Sequence, residues 1–223
     1  MKSIQVSEIE KKRIDTLKKY SILDTPPDGS FDKITHLAST IFKVPIALIS
    51  LVDTDRIWFK SHYGLPINQI DRSPGLCASA ILSNNTYIVE NAIEDPRCLA
   101  NQLVAGEFGL RFYAAVPLQT QDNFNLGTLC VIDKAPRIFT DADKEILTQL
   151  AAIVMNEMEM RLALRNTVDN IKHLTSDVSV NLKSIIKKIE GLPEDQHNEQ
   201  LLSYLNSSRM FLINVENQLR HLK

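Results

Sequence analysis

The stretch "VPIALISLVDTDRIWFKS", from Val44 to Ser61, decides how the first two thirds of the chain is read. Its first half, "PIALISLVD", is rich in β-formers and almost wholly apolar, as a central strand should be. The polar turn Asp53–Arg56 follows, and then "IWFKSHYG", a second run of strand formers. Two such runs across a short polar turn predict a hairpin. Downstream, "TYIVEN" reads as a strand, and "RFYAAVPLQT" and "LGTLCVIDK", joined by "QDNFN", read as another hairpin. Between and before these lie helical segments. Glu8 to Tyr20 ends at the turn-rich "LDTPPDGS". In "FDKITHLASTIFK", Ile34, Leu37, Ala38, Ile41 and Phe42 share one helical face. "PGLCASAILSN" is a short helix. Helices on a mostly antiparallel sheet make an α+β domain.

The composition changes near residue 140. "FTDADKEIL" offers Thr140 as an N-cap, with acidic residues in the first turn where the helix dipole favours them. No breaker appears until Gly191 and Pro193. A helix of ~50 residues is about 75 Å long, more than one globular domain buries, so it projects. Its far half carries a series at 3- and 4-residue spacing: Leu164, Val168, Ile171, Thr175, Val178, Leu182, Ile185, Ile189 and Leu192. A second series follows "GLPEDQ": Leu201, Leu205, Ser208, Leu212, Val215, Leu219 and Leu222. Two helices joined by a short turn form an antiparallel hairpin, and one hairpin cannot cover both seams. Pairing with a second copy, in a parallel homodimer, completes a four-helix bundle. The expected boundaries are a globular domain over 1–160 and a helical hairpin over 161–223.

The bulk numbers narrow the function. With 25 Lys and Arg against 27 Asp and Glu, the formal charge is −2. That lacks the surplus of cations a general nucleic-acid binder needs to displace counterions. The amino-terminal "MKSIQVSEIEKKRID" has no apolar h-region, and "VPIALISLV" is too short to span a bilayer. No direct membrane insertion and a cytoplasmic location are expected. Three scattered cysteines, Cys77, Cys98 and Cys130, suggest neither a disulfide framework nor a zinc site. His36, His62, His173, His197 and His221 show no metal-ligand spacing.

The blocks "YSILDTPPDGSFDKIT", "VPIALISLVDTDRIWFKS", "GLCASAIL", "EDPRCLANQLV", "LRFYAAVPL" and "LGTLCVID" together resemble a GAF domain, over about the first 160 residues. The resemblance is to the GAF domains at the amino end of bacterial sensor kinases and cyclic-dinucleotide enzymes. It implies an antiparallel sheet with a small-molecule pocket on one face and helices on the other. "SDVSVNLKSII", Ser176 to Ile186, and "LLSYLNSSRMFLINVENQL" resemble the dimerisation and histidine-phosphotransfer hairpin of histidine kinases. The family reads Ser-Asp-Ile-Ser-His-Asp-Leu-Lys-Ser-Pro-Leu there. Val180 stands at the histidine position and has no nucleophile. Asn181 replaces the neighbouring acid, and an amide cannot act as a base. Ile185 replaces the proline that would kink the helix. No ATP-binding domain is expected beside this hairpin. The expectation is a pseudo-kinase hairpin: no enzyme, a homodimer, and a partner that is a response regulator or a sensor histidine kinase.

For a ligand the expectation is a non-covalent pocket with no cofactor. Trp58, Phe59, Phe108, Phe112 and Tyr113 would line it, and Lys60, Arg97 and Arg111 could hold an anion. The alternatives are an empty pocket in a plain dimeric scaffold, or a cysteine-dependent reductase like the GAF enzymes that reduce free methionine sulfoxide. That subfamily's flanking motifs are missing here, and Cys130 reads as core. A covalent bilin would need a cysteine near "GEFGLRF", and there is none. The cyclic-nucleotide signature of the family is not recognisable.

Overall fold

The computed structural model describes residues 8–98, 101–191 and 199–220. By contacts the chain divides into two compact units, Met1–Glu159 and Met160–Lys223. The elements of the first are α1 (Glu8–Lys19), α2 (Gly29–Phe42), β1 (Ile46–Val52), β2 (Arg56–Tyr63), β3 (Gln69–Asp71), α3 (Leu76–Ala80), β4 (Tyr87–Val89), α4 (Gln102–Ala105), β5 (Phe112–Gln119), β6 (Asn125–Asp133) and the opening turns of α5 (Asp141–Glu190). The later turns of α5 and all of α6 (Glu199–Arg220) belong to the second.

The six strands form one antiparallel sheet in the order β3-β2-β1-β6-β5-β4. β1 sits between β2 and β6 and is buried at every residue. That is why its sequence is a continuous apolar run rather than an alternating one. The hairpin expected at Asp53–Arg56 is closed by the Asp53 N–H donating to the Arg56 carbonyl at 2.9 Å. Ile49 stands opposite Ser61 and Ser50 opposite Phe59, so Lys60 is an extra residue on β2, a bulge. β3 and the single turn of α4 are additions that the hydrophobic pattern did not announce.

α2 packs on β1, β2 and β6, and α1 on β6. α3 packs on β1, β5 and β6 from the other side, where Ile46, Leu48, Val52, Phe59, Cys77, Tyr113, Cys130 and Ile132 join one buried cluster. α2 begins at Asp28, whose carboxylate accepts from the Ser30 N–H at 3.0 Å, and ends at Lys43 in the left-handed region. Thr140 caps α5 as expected. Its hydroxyl accepts from the Asp143 N–H at 3.2 Å, and the Asp143 carboxylate accepts from the Thr140 N–H at 2.9 Å, a reciprocal capping box.

Arg137 ties the α2 terminus to the sheet. It donates to the carbonyls of Phe42 at 3.1 Å and Lys43 at 2.6 Å, and pairs with Asp133. Arg137→Ala leaves those carbonyls and a mostly buried carboxylate short of a donor. The expected loss is about 2 kcal/mol, read as a lower urea midpoint with unchanged slope.

In the second unit α5 continues without a break to Glu190, the ~50-residue helix expected. Ser179 and Ile186 of α5 and Leu219 of α6 are buried, and Val168, Thr175, Leu182 and Ile189 are half-buried. Within the single chain the expected series divides: Val168, Thr175, Leu182 and Ile189 lie on a covered stripe together with Lys172, Ser179 and Ile186, whereas Leu164, Ile171, Val178 and Ile185 are exposed. Leu192, Pro193, His197, His221 and Leu222 lie outside the described residues. No helix among the described residues is long and apolar enough to cross a membrane.

Candidate functional site

Two cavities flank β2, one on each face of the sheet. The first, about 70 Å3, is apolar. Leu48, Phe59 and Ile70 come to it from strands, Leu76 and Cys77 from α3, and Tyr113 and Ile132 from the far half of the sheet. Leu65, Ile67, Leu103, Phe108 and Leu110 close it from the connecting segments and α4. No Lys, Arg, His, Asp or Glu is among its lining residues.

Beneath that cavity lies a buried polar cluster. The Tyr113 hydroxyl donates to Cys77 Sγ at 3.2 Å. Ser50 and Thr128, opposite each other on β1 and β6, bond through their hydroxyls at 2.8 Å. Cys130 first, and then the hydroxyls of Ser50, Tyr113 and Thr128, hold the Cys77 thiol below its ordinary value against the opposing effect of burial. Cys77 first, and then burial, pushes the Cys130 thiol up. Burial, with the two thiols beside it, raises the Tyr113 phenol, which therefore stays a proton donor at neutral pH. All three cysteines are free and buried.

The second cavity, about 250 Å3, opens on the α2 side between β2 and the segment around Asp24. Trp58, Lys60, Ser61, His62, Asp24, Asp32 and Asn68 line it. Lys60 is 5% exposed, donates to Thr25 Oγ1 at 2.8 Å and the Pro26 carbonyl at 2.9 Å, and lies over the rings of Phe31 and Trp58. Ser61 donates to Asp32 at 2.6 Å.

The eight residues expected to line one pocket thus divide. Phe59, Phe108 and Tyr113 meet at the apolar cavity, and Phe59 also borders the second cavity. Trp58 and Lys60 face α2, because successive strand residues point to opposite faces. Phe112, next to Tyr113, packs on Phe139 at 5.6 Å on the α2 side. Nor do the three cations form an anion site. Arg97 pairs with Asp95, donates to the Ile88 carbonyl at 2.6 Å and stacks on Tyr87 at 4.5 Å. Arg111 donates to the carbonyls of Val104 and Leu110. Each guanidinium is used to hold backbone. The Ser50–Thr128 pair was missed in the sequence because small hydroxyls inside an apolar strand carry no pattern of their own.

In the second unit, Val180 is 61% exposed and Asn181 is exposed beside it. Next to the covered stripe of α5 runs a second apolar row, its residues 3, 4 or 7 positions apart. Met160, Leu164, Ile171, Leu174, Val178 and Ile185 are all open to water, with Leu164 64% exposed. α6 likewise leaves Leu201, Tyr204, Met210 and Phe211 exposed.

A family model described as the GAF domain matches residues 26–158. A cyclic di-GMP phosphodiesterase of Pseudomonas aeruginosa is 38% identical over 183 residues, which is 79% of this chain and 31% of that protein. The chain thus spans about a third of that relative's length. Among solved structures, the GAF domain of an Acinetobacter phosphoenolpyruvate-protein phosphotransferase superposes with a TM-score of 0.51 at 22% identity, covering 70% of this chain and 98% of that one. The blue-light absorbing PixJ GAF domain of Thermosynechococcus elongatus gives 0.52 at 15% identity, covering 77% and 98%.

Proposed function

Since the chain belongs to the GAF domain family, we propose that it is a non-catalytic signalling protein, in which a ligand-sensing GAF domain reports through a dimeric helical hairpin to a two-component partner. The observation that carries this reading is the second apolar row on α5. A helix in a monomeric hairpin needs one apolar stripe. α5 has two adjacent ones, the width that a helix between two neighbours in a four-helix bundle requires. A second copy supplies the missing neighbour, because the same row on each chain is self-complementary about a two-fold axis.

The apolar cavity fits the sensing role with an uncharged, largely apolar ligand. A phosphate or carboxylate buried there would meet no cationic lining side chain, and an unpaired charge in an apolar site is strongly disfavoured. The name of the Pseudomonas relative therefore does not transfer as a ligand for this pocket.

The hairpin supports no phosphoryl transfer at position 180, but losing the nucleophile need not remove a docking surface. Val180, Lys183, Ser184 and Lys187 lie on the exposed side of α5. A response regulator, or the hairpin of a sensor kinase, would dock there. Affinity at such surfaces is concentrated in a few contacts. Val180→Glu should therefore reduce recovery of a response regulator or sensor kinase in pull-downs from the native cell by about tenfold or more, with the dimer intact. Unchanged recovery of that partner would show that docking does not use this site.

A further inference from the structure

The second cavity lies across the sheet from the pocket assigned the sensing role, and its charges are unevenly accessible. Asp24 is neutralised where it stands, because Arg56 donates to both of its carboxylate oxygens, at 2.9 and 2.6 Å. Lys60 lines the cavity, but its ammonium is turned into the protein. The side chain is buried, bonded to Thr25 and the Pro26 carbonyl, and lies over the rings of Phe31 and Trp58. Asp32 is the opposite case. It is exposed, and among the described residues its carboxylate has one hydrogen-bond partner, the Ser61 hydroxyl, and no ion pair. The cavity thus offers an open negative charge and a covered positive one.

We propose that this cavity binds a small organic cation, a primary ammonium on a short apolar chain, with Asp32 as its anchor. An anion is disfavoured, since it would meet the Asp32 carboxylate and find Lys60 covered. A bare metal ion is disfavoured too, because no group of three or more His, Cys, Asp or Glu able to hold one lies among the described residues. An ammonium needs only one carboxylate, to which it donates a charge-assisted hydrogen bond. Its carbon chain covers the apolar walls that Trp58 and Phe59 present to the cavity.

Three features of the site fit this ligand. The anchor is held in place before any ligand arrives. Thr35 and Ser61, both buried, bond through their hydroxyls at 2.8 Å, and Ser61 donates to Asp32 at 2.6 Å. The first turn of α2 favours an acid at Asp32 through the helix dipole, which accounts for the charge but not for this hydroxyl relay. The bulge in β2 sets the relay up, because it lets the consecutive residues Lys60 and Ser61 both serve the α2 side. The volume, about 250 Å3, lies below the ~300–1,000 Å3 of sites for drug-sized ligands, so the cation is a small one.

Trp58 lines the cavity and is the one tryptophan of the chain, so its emission reports on this site. The test titrates the full-length protein at neutral pH and constant ionic strength with butylammonium chloride, and separately with sodium butyrate, a carboxylate of the same chain length. The expected result is a saturable change in Trp58 emission with butylammonium and none with butyrate. Asp32→Asn keeps an acceptor for Ser61 but loses the charge, and should weaken butylammonium binding about fivefold or more while circular dichroism shows the fold intact. Should Asp32→Asn misfold, the wild-type comparison of the two probes decides. No saturable response to butylammonium, a saturable response to butyrate, or a smaller loss in folded Asp32→Asn would overturn the proposal. The readout lies within the GAF unit, so no outcome depends on dimerisation or on a signalling partner.

Discussion

Ile171→Asp combined with Val178→Asp should convert a dimer into a monomer that keeps its helices. Ile171 is 38% and Val178 46% exposed in the single chain, so each change disturbs one hairpin less than a substitution on the covered stripe would. In the dimer each substitution occurs twice. Each buried Ile or Val is worth about 1.5–3 kcal/mol, and each new carboxylate must also be desolvated. The dissociation constant should rise by more than about a thousandfold, since every 1.4 kcal/mol is roughly tenfold. Light scattering reads the mass, and circular dichroism should show unchanged helix content. Ile186→Asp is the informative contrast. Ile186 is 5% exposed within the single chain, so its replacement should lower helicity as well as mass. If the double variant stays dimeric, the exposed row is not the interface.

A comparably large effect is expected in the GAF core at Gly127. A Cβ placed there would lie 1.8 Å from the Ser50 carbonyl oxygen and 2.8 Å from the Leu51 Cα. Both obstructing atoms are main chain of the central strand, so no side-chain rotamer relieves the clash. β1 and β6 would have to separate where they pair. Overpacking ordinarily costs 1–3 kcal/mol when side chains can yield. Gly127→Ala should therefore exceed about 3 kcal/mol and is expected to leave little folded GAF domain at 37 °C. Gly29→Ala is the control. Nothing lies within 4 Å of its Cβ, and it opens α2, so stability should change by less than about 1 kcal/mol. Equal urea midpoints for the two variants would contradict this account of the sheet.

Long, strongly patterned segments declared themselves in the sequence, and short or composite ones did not. β1, β5, β6 and the unbroken α5 follow from apolar runs, turn residues and the absence of breakers. β3 is three residues long and exists because β2 offers it partners, a tertiary cause with no local signature. Part of the site was legible but misread. The two-residue period of a strand already separates Phe112 from Tyr113, whereas Trp58, Phe59 and Lys60 all border the second cavity and of the three only Phe59 reaches the apolar one. The bulge at Lys60, which turns Ser61 to the α2 side, follows from pairing with β1 and could not be read locally. The apolar cavity draws Leu65, Ile67, Leu103 and Leu110 from separate connecting segments, so no motif unites them. On α5 the uncertainty was one residue of rotation. Leu164, Ile171, Val178 and Ile185 fit a seam with Val168, Leu182 and Ile189 as well as Lys172, Ser179 and Ile186 do. Only the burial of Ser179 and Ile186 separates the two.

The central claim is that the hairpin joins two chains. Multi-angle light scattering on the intact protein, across low to high micromolar concentration, tests it most directly. The account predicts twice the chain mass of 25.2 kDa throughout that range. A mass of one chain at high micromolar concentration would contradict it, leaving the exposed row on α5 without a role in self-association.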